Sequence, residues 1–181
     1  MKNLEEIYKK YASKNGGGDK GNLHDYLGTY EKHLTKRSNI DFVEIGVWRG
    51  DSLMMWNEYF SDSRVYGIDV RMDLITYPEL SNAYLCDARE KDQVDSLFEE
   101  TSFDYIIDDG SHYWQHQIQA FNIFYPRLKT PGKYFIEDIL GDENLERLIN
   151  HVSTYTDNYE VVDTRRPDTT FCDLILIVEN K

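Results

Sequence analysis

Cysteine is scarce. Cys86 and Cys172 are the only two in 181 residues, too few for a disulfide framework. Both sit in apolar, strand-like segments, so buried free thiols in a reducing compartment are expected. Long hydrophobic runs are missing as well: no apolar stretch approaches the roughly 18–20 residues of a membrane span. The opening MKNLEEIYKK has no signal-peptide hydrophobic region. A cytoplasmic, membrane-free protein is the expectation. Positive charge is in deficit, with Lys+Arg 20 against Asp+Glu 33, a formal net charge of −13 and a pI of about 4.7. Nucleic-acid backbones and anionic lipid surfaces need basic density, so neither is an expected partner. A cationic ligand or a divalent metal suits this balance. Three signatures are also missing. Trp48 stands where a G-x-G-x-x-G turn needs its second glycine, which disfavours a nicotinamide oxidoreductase. No glutamate makes H-E-x-x-H of His112 and His116, which disfavours zinc. The glycine-rich stretch Asn15–Asn22 lacks the G-K-[ST] ending of a phosphate-binding loop.

What is present suffices for a core: 40% of residues are hydrophobic and 14% aromatic. Five short apolar runs, Asp41–Val47, Arg64–Val70, Ala83–Ala88, Phe103–Asp109 and Lys133–Ile139, read as strands buried on both faces. Helical stretches separate them. Asp51 or Ser52 is placed to cap one carrying Leu53, Met54 and Trp56. Val94, Leu97 and Phe98 mark a second. Trp114, Ile118, Phe121, Phe124 and Leu128 mark a third, and Leu145, Leu148, Ile149 and Val152 a fourth. Tyr159–Val162 and Asp173–Glu179 read as two more strands, joined too closely for a crossover helix and therefore antiparallel. The expected fold is α/β: a Rossmann-like, doubly wound, seven-stranded sheet with an antiparallel strand near the C-terminus. Residues 1–38 form a separate N-terminal helical lid, with Leu4, Ile7, Tyr8 and Tyr11 on one short helix and Tyr26, Tyr30 and Leu34 following; 39–181 form the Rossmann-like domain.

Chemistry-bearing residues gather at the strand ends. Glu44, Gly46 and Gly50 lie at the first strand-to-helix turn, where glycine lets backbone approach a ligand. Asp69 ends the second strand, 23 positions beyond Gly46, near the spacing of a ribose-binding carboxylate. Asp87 ends the third, within reach of an adenine amino group. Together they outline an adenosine-type pocket. Asp108, Asp109 and His112 end the fourth strand and Glu137 and Asp138 the fifth. Uncompensated, these carboxylates would repel one another; an all-oxygen set suits Mg²⁺, with Mn²⁺ as a substitute. His112, near Asp109, is placed as a general base, whereas His116 is expected on the helix surface.

The segments DKGNLHDYLGTYEKHL (Asp19–Leu34), VEIGVWRGDSL (Val43–Leu53), YGIDV (Tyr66–Val70), DYIIDDGSH (Asp104–His112) and YFIEDI (Tyr134–Ile139) resemble, in this order, the metal-dependent sugar O-methyltransferases of the macrocin and mycinamicin type. The resemblance implies a class I methyltransferase that uses S-adenosylmethionine. Glu44 and Gly46 would belong to the cofactor turn, Asp69 would hold the ribose, and Asp87 would lie near the adenine, with Asp108 also in the cofactor set. Asp19, Lys20, Tyr26 and Tyr30 would belong to the segment closing over the cofactor. Asp109, Glu137 and Asp138 match the metal ligands and His112 the base, with Asp109 also counted in the catalytic pair. The macrolide enzymes carry an extra N-terminal domain and longer insertions without counterpart in these residues, so an acceptor other than a macrolide is expected. Methyl transfer to a hydroxyl of a sugar or glycosylated small molecule is the leading expectation. A catechol or other vicinal diol as acceptor, and a non-catalytic S-adenosylmethionine-binding module, are the alternatives. A homodimer is the expected assembly.

Overall fold

The computed structural model describes residues 3–12, 18–21, 24–166 and 173–181. Cys172 and half of the glycine-rich stretch fall outside them. Two short helices, α1 (Leu4–Ala12) and α2 (Leu27–His33), precede β1 (Asp41–Ile45), α3 (Asp51–Tyr59), β2 (Arg64–Asp69), β3 (Ala83–Leu85) and α4 (Lys91–Phe98). Then follow β4 (Phe103–Asp108), α5 (Trp114–Phe124), β5 (Leu128–Ile136), α6 (Asp142–Val152), β6 (Tyr159–Asp163) and β7 (Leu174–Asn180). The seven strands pair in the order β3-β2-β1-β4-β5-β7-β6. The first five run parallel, and β7 lies antiparallel to both β5 and β6. All seven expected strands form, with the antiparallel strand where the short final connection places it.

Alternation along the strands explains why both faces are covered. Phe42, Tyr105, Ile107 and Phe135 point to one face, where α1, α2 and α3 pack through Tyr8, Tyr30 and Trp56. Val43, Ile106, Tyr134 and Ile136 point to the other, against Val94 and Phe98 of α4, Phe121 and Phe124 of α5, and Leu148 and Val152 of α6. The period of two sends neighbouring apolar residues into opposite cores. The N-terminal helices are part of the first core: Leu4, Tyr26, Tyr30 and Leu34 are fully buried. No helix among the described residues is long and apolar enough to cross a membrane.

Two local expectations are corrected. Leu128 is the first residue of β5, because Pro126 lacks an amide hydrogen and ends the helical path after Phe124 in a single 3₁₀ turn. Neither Asp51 nor Ser52 caps α3. Gly50, at φ +94°, occupies the cap, and the two side chains turn elsewhere: Tyr77 donates to Asp51 Oδ1 at 2.5 Å and Ser52 Oγ donates to Glu44 Oε2 at 2.9 Å.

Candidate active site

Strand order reverses between β1 and β4, which opens a crevice at the carboxyl ends of the strands. A cavity of about 580 Å³ occupies it, a size suited to a small-molecule cofactor. Gly46, just past β1, has φ +91°, and a Cβ there would stand 2.0 Å from the carbonyl oxygen of Asp109. Only glycine lets the β1 turn and the β4 loop approach this closely. Asp69, the last residue of β2, props that turn from the side. Its Oδ2 accepts from the amides of Val47 and Trp48, both at 2.8 Å, and its Oδ1 from the amide of Arg71 at 2.8 Å. Two residues past β3, Asp87 accepts two bonds from the Arg89 guanidinium, at 2.8 and 2.6 Å, and one from the Arg89 amide at 3.0 Å. That pairing holds its carboxyl below the usual range.

The acidic cluster forms the cavity's other end. Lys20, 2% exposed, reaches Asp109 Oδ2 at 2.5 Å, Glu137 Oε2 at 2.7 Å and Glu44 Oε1 at 3.9 Å. Burial alone would lower its pKa, but the three carboxylates outweigh this and hold the ammonium well above the usual lysine range. One cation does not neutralise three acids. Burial pushes Glu44 up to about 7 even with Lys20 beside it. It also pushes Asp108 up to about 7, and raises Asp109 and Glu137. Tyr30 donates to the second oxygen of Glu137. Tyr26 donates to Asp138 Oδ1 at 2.7 Å, while Asp138 Oδ2 faces His112 Nε2 at 3.9 Å and His24 Nε2 at 3.8 Å. Asp109, His112 and Asp138 each offer a ligand atom, all within 4.8 Å of one another. His112 and Asp138 both sit at positive φ, +59° and +51°. Such backbone is uncommon for non-glycine residues and clusters at functional sites.

Of the residues singled out from the sequence, Asp19, Lys20, Gly46, Asp69, Asp87, Asp108, Asp109 and His112 line the cavity. Glu44, Tyr26, Tyr30, Glu137 and Asp138 stand behind its wall, all buried and bonded into the cluster. Sequence reasoning missed four participants. His116 is not a plain helix-surface residue: it lines the cavity from the first turn of α5, where Nδ1 lies 2.7 Å from Ser111 Oγ in the loop that carries His112. Arg89 pairs with Asp87, a partner legible only in the two-residue spacing. Gln117 donates to the Glu137 carbonyl at 2.8 Å. His24 contacts Asp173 and faces Asp138; its sole sequence signal is membership of the Asp19–Leu34 segment.

No family model matches the sequence. Among curated proteins, the chain is 32% identical over 133 residues to the 8-demethyl-8-α-L-rhamnosyl tetracenomycin-C 2′-O-methyltransferase of Streptomyces olivaceus, covering 68% of this chain and 35% of that protein. It is 32% identical over 151 residues to the mycinamicin VI 2″-O-methyltransferase of Micromonospora griseorubida, covering 75% and 36%. The chain thus spans about a third of the length of these relatives. Among solved structures, MycE methyltransferase in complex with Mg, S-adenosylhomocysteine (SAH) and mycinamycin VI matches with a TM-score of 0.73 at 21% identity, covering 100% of this chain and 55% of that one. The chain therefore has a class I methyltransferase fold and, over about three quarters of its length, resembles the sugar O-methyltransferases of the macrocin and mycinamicin type.

Proposed function

We propose that this chain binds S-adenosylmethionine in the β1/β4 crevice and, with Mg²⁺ held by Asp109, Glu137 and Asp138, methylates a sugar hydroxyl of a small molecule. The observation that supports this best is the meeting, in one cavity, of the glycine-only turn at Gly46 with Asp109 and His112, whose ligand atoms lie within 4.8 Å of that of Asp138 behind the cavity wall. The donor chemistry fits a hard divalent cation. The acids are short of positive charge, and ligand atoms of Asp109 and Asp138 already lie within 4.8 Å of each other and of His112. Glu137, adjacent to Asp138, has its two oxygens on Lys20 and Tyr30 and would have to exchange one of them for the ion. S-adenosylmethionine supplies a sulfonium methyl group, and Mg²⁺ or Mn²⁺ supplies Lewis acidity that lowers the pKa of an acceptor hydroxyl.

The chain's own residues do the rest. His112 takes the acceptor proton at Nε2; that nitrogen faces the cluster, whereas Nδ1 is buried. Tyr26 fixes one oxygen of Asp138, so the other is presented to the site. Lys20 and Tyr30 fix the two oxygens of Glu137. Asp69 holds the Gly46 turn and Asp108 the β4 end, which pre-sets the pocket wall before a ligand arrives. Residues 1–38 act as a lid: Tyr8, Tyr11, Gly18, Asp19 and Lys20 all line the cavity from that segment and exclude water from it. The names of the relatives, which methylate sugar positions, support a sugar as acceptor. We propose a homodimer as its assembly, because symmetric dimers are the commonest oligomers; a single 21.4 kDa species in sedimentation would overturn that.

The test is an acceptor screen with methyl-labelled S-adenosylmethionine, run with and without Mg²⁺ on glycosylated small molecules and on catechols. Label transfer to a sugar hydroxyl only when Mg²⁺ is present is the expected result. Transfer undiminished in EDTA would remove the metal from the reading.

A further inference from the structure

Four cavity-lining side chains form a continuous hydrogen-bonded chain that the methyl-transfer scheme leaves unused. Asp87, past the end of β3, holds Arg89 through two bonds at 2.8 and 2.6 Å. Arg89 Nη1 lies 3.1 Å from His116 Nε2. His116 Nδ1 lies 2.7 Å from Ser111 Oγ, in the loop after β4. The chain therefore spans the cavity from the β3 side to the residue before His112.

Donor chemistry gives this chain a direction. A guanidinium has donors only, so Arg89 must donate to His116, and Nε2 must be the unprotonated nitrogen. A neutral imidazole carries its proton on the other nitrogen, so Nδ1–H donates to Ser111 Oγ. The serine hydroxyl accepts that bond and keeps its own hydrogen to donate into the cavity it lines. Tyr113 closes the arrangement by packing edge-on against the His116 ring, with centroids 5.5 Å apart. The loop so held is the one in which His112 adopts φ +59°, a conformation that persists only where surroundings over-determine it.

We propose that His116 is a positioning residue: locked in its Nδ1–H tautomer by Arg89, it ties the Ser111–His112 turn to the Asp87 side of the cavity. Ligand bound against Asp87 and Arg89 is thereby coupled to the geometry of His112. The tautomer is a property of the free protein, whereas the coupling rests on the reading of the cavity as an S-adenosylmethionine site.

The test uses two measurements on the full chain. First, long-range ¹H–¹⁵N spectra of ¹⁵N-histidine-labelled protein report the His116 tautomer without ligand. A neutral ring protonated at Nδ1 is expected, with loss of that single tautomer in Arg89→Ala. A ring protonated at Nε2 in the wild type would overturn the proposal. Second, SAH is titrated into wild type, His116→Leu and His116→Gln while the His112 ring signals are followed. The wild type should show SAH-induced shifts at His112. His116→Leu should bind SAH within about threefold of wild type yet lose most of that response. His116→Gln, whose amide offers one acceptor and one donor, should recover it. An unaltered His112 response in His116→Leu would overturn the coupling. Absence of SAH binding to the wild type would overturn the cofactor reading, and the coupling with it, while the tautomer still decides the lock.

Discussion

Both ends of the sheet bury carboxylates, and they treat them in opposite ways. At the amino ends of the strands, Asp41 opens β1 and Asp104 is the second residue of β4. Arg64 and Lys129 reach Asp41 at 2.5 and 2.7 Å; Lys36 and Lys129 reach Asp104 at 2.6 and 2.7 Å. Burial pushes Asp104 up, but the two lysines more than offset it and leave its carboxyl below the usual range. Three cations serve two acids. At the carboxyl ends, Lys20 is, among the described residues, the one lysine or arginine within ion-pair distance of Glu44, Asp109 and Glu137. There the acids are held above their usual range. A balanced cluster is a fastening. A cluster left short of positive charge is a place for a cation, and it lies where open α/β sheets bind ligands.

The sharpest way to break this contrast is to remove one acid from each end. Asp138→Ala should cut turnover by about 10³-fold or more, since loss of metal assistance forfeits several kcal/mol of transition-state stabilisation. Asp104→Asn should leave kcat within about twofold. Steady-state rates at saturating Mg²⁺ decide between them. Equal losses from both substitutions would mean that the two clusters are the same kind of object.

The next largest effect falls on Lys20. Lys20→Met leaves Glu137 buried and Asp109 partly buried without their ammonium, and breaking a buried ion pair on one side costs about 3–5 kcal/mol. A chain of this size should then melt about 6–20 °C lower. Calorimetric melts with and without Mg²⁺ sharpen the point: the ion should stabilise Lys20→Met more than wild type, because it replaces the missing charge. An equal Mg²⁺ effect in both proteins would separate Lys20 from the cation site.

Much of this site was legible before any coordinates, for a definite reason. Short strands buried on both faces announce themselves as apolar runs, and in a doubly wound sheet the residues just past those runs must share one edge. That logic brought Gly46, Asp69, Asp87, Asp109 and His112 to one cavity. It places backbone, not side-chain direction. Glu137 and Asp138 are adjacent and both buried, yet Glu137 turns to Lys20 and Tyr30 while Asp138 turns to Tyr26 and the histidines. Partners distant in sequence were hidden for the same reason: nothing in a spacing links His24 to Asp173, 149 positions away. His116 was misread because an exposed polar helix position looks identical whether it faces solvent or a cavity mouth.

A pH series tests the shortage of charge directly. Asp108, 2% exposed, titrates at about 7 in the fold against an ordinary value of 3.8, because burial disfavours its charged form. Between those values the folded state holds a proton that the unfolded chain has released. The associated stability is therefore present below about pH 4 and is lost as pH rises to about 7. Asp108→Asn cannot titrate. Wild-type stability measured against that variant should fall by about 3 kcal/mol between pH 5 and pH 8, then stay level. Denaturant unfolding at fixed pH values measures it. A difference that does not change with pH would mean that Asp108 is charged throughout.

Lys129→Met should produce the smallest change, although Lys129 touches two buried acids where Lys20 touches two at similar distances. Its side chain is 34% exposed, so water and salt screen the interaction and stabilise the freed carboxylates. Arg64 remains on Asp41, and Lys36 and the amide of Asp41 remain on Asp104. Each acid keeps a cation after the substitution. A loss of about 1 kcal/mol or less is expected, a few degrees in melting temperature, shrinking further at high salt and unchanged by Mg²⁺. If Lys129→Met instead melted as low as Lys20→Met, redundancy would not be what distinguishes the two ends, and burial alone would have to account for the raised acids around Lys20.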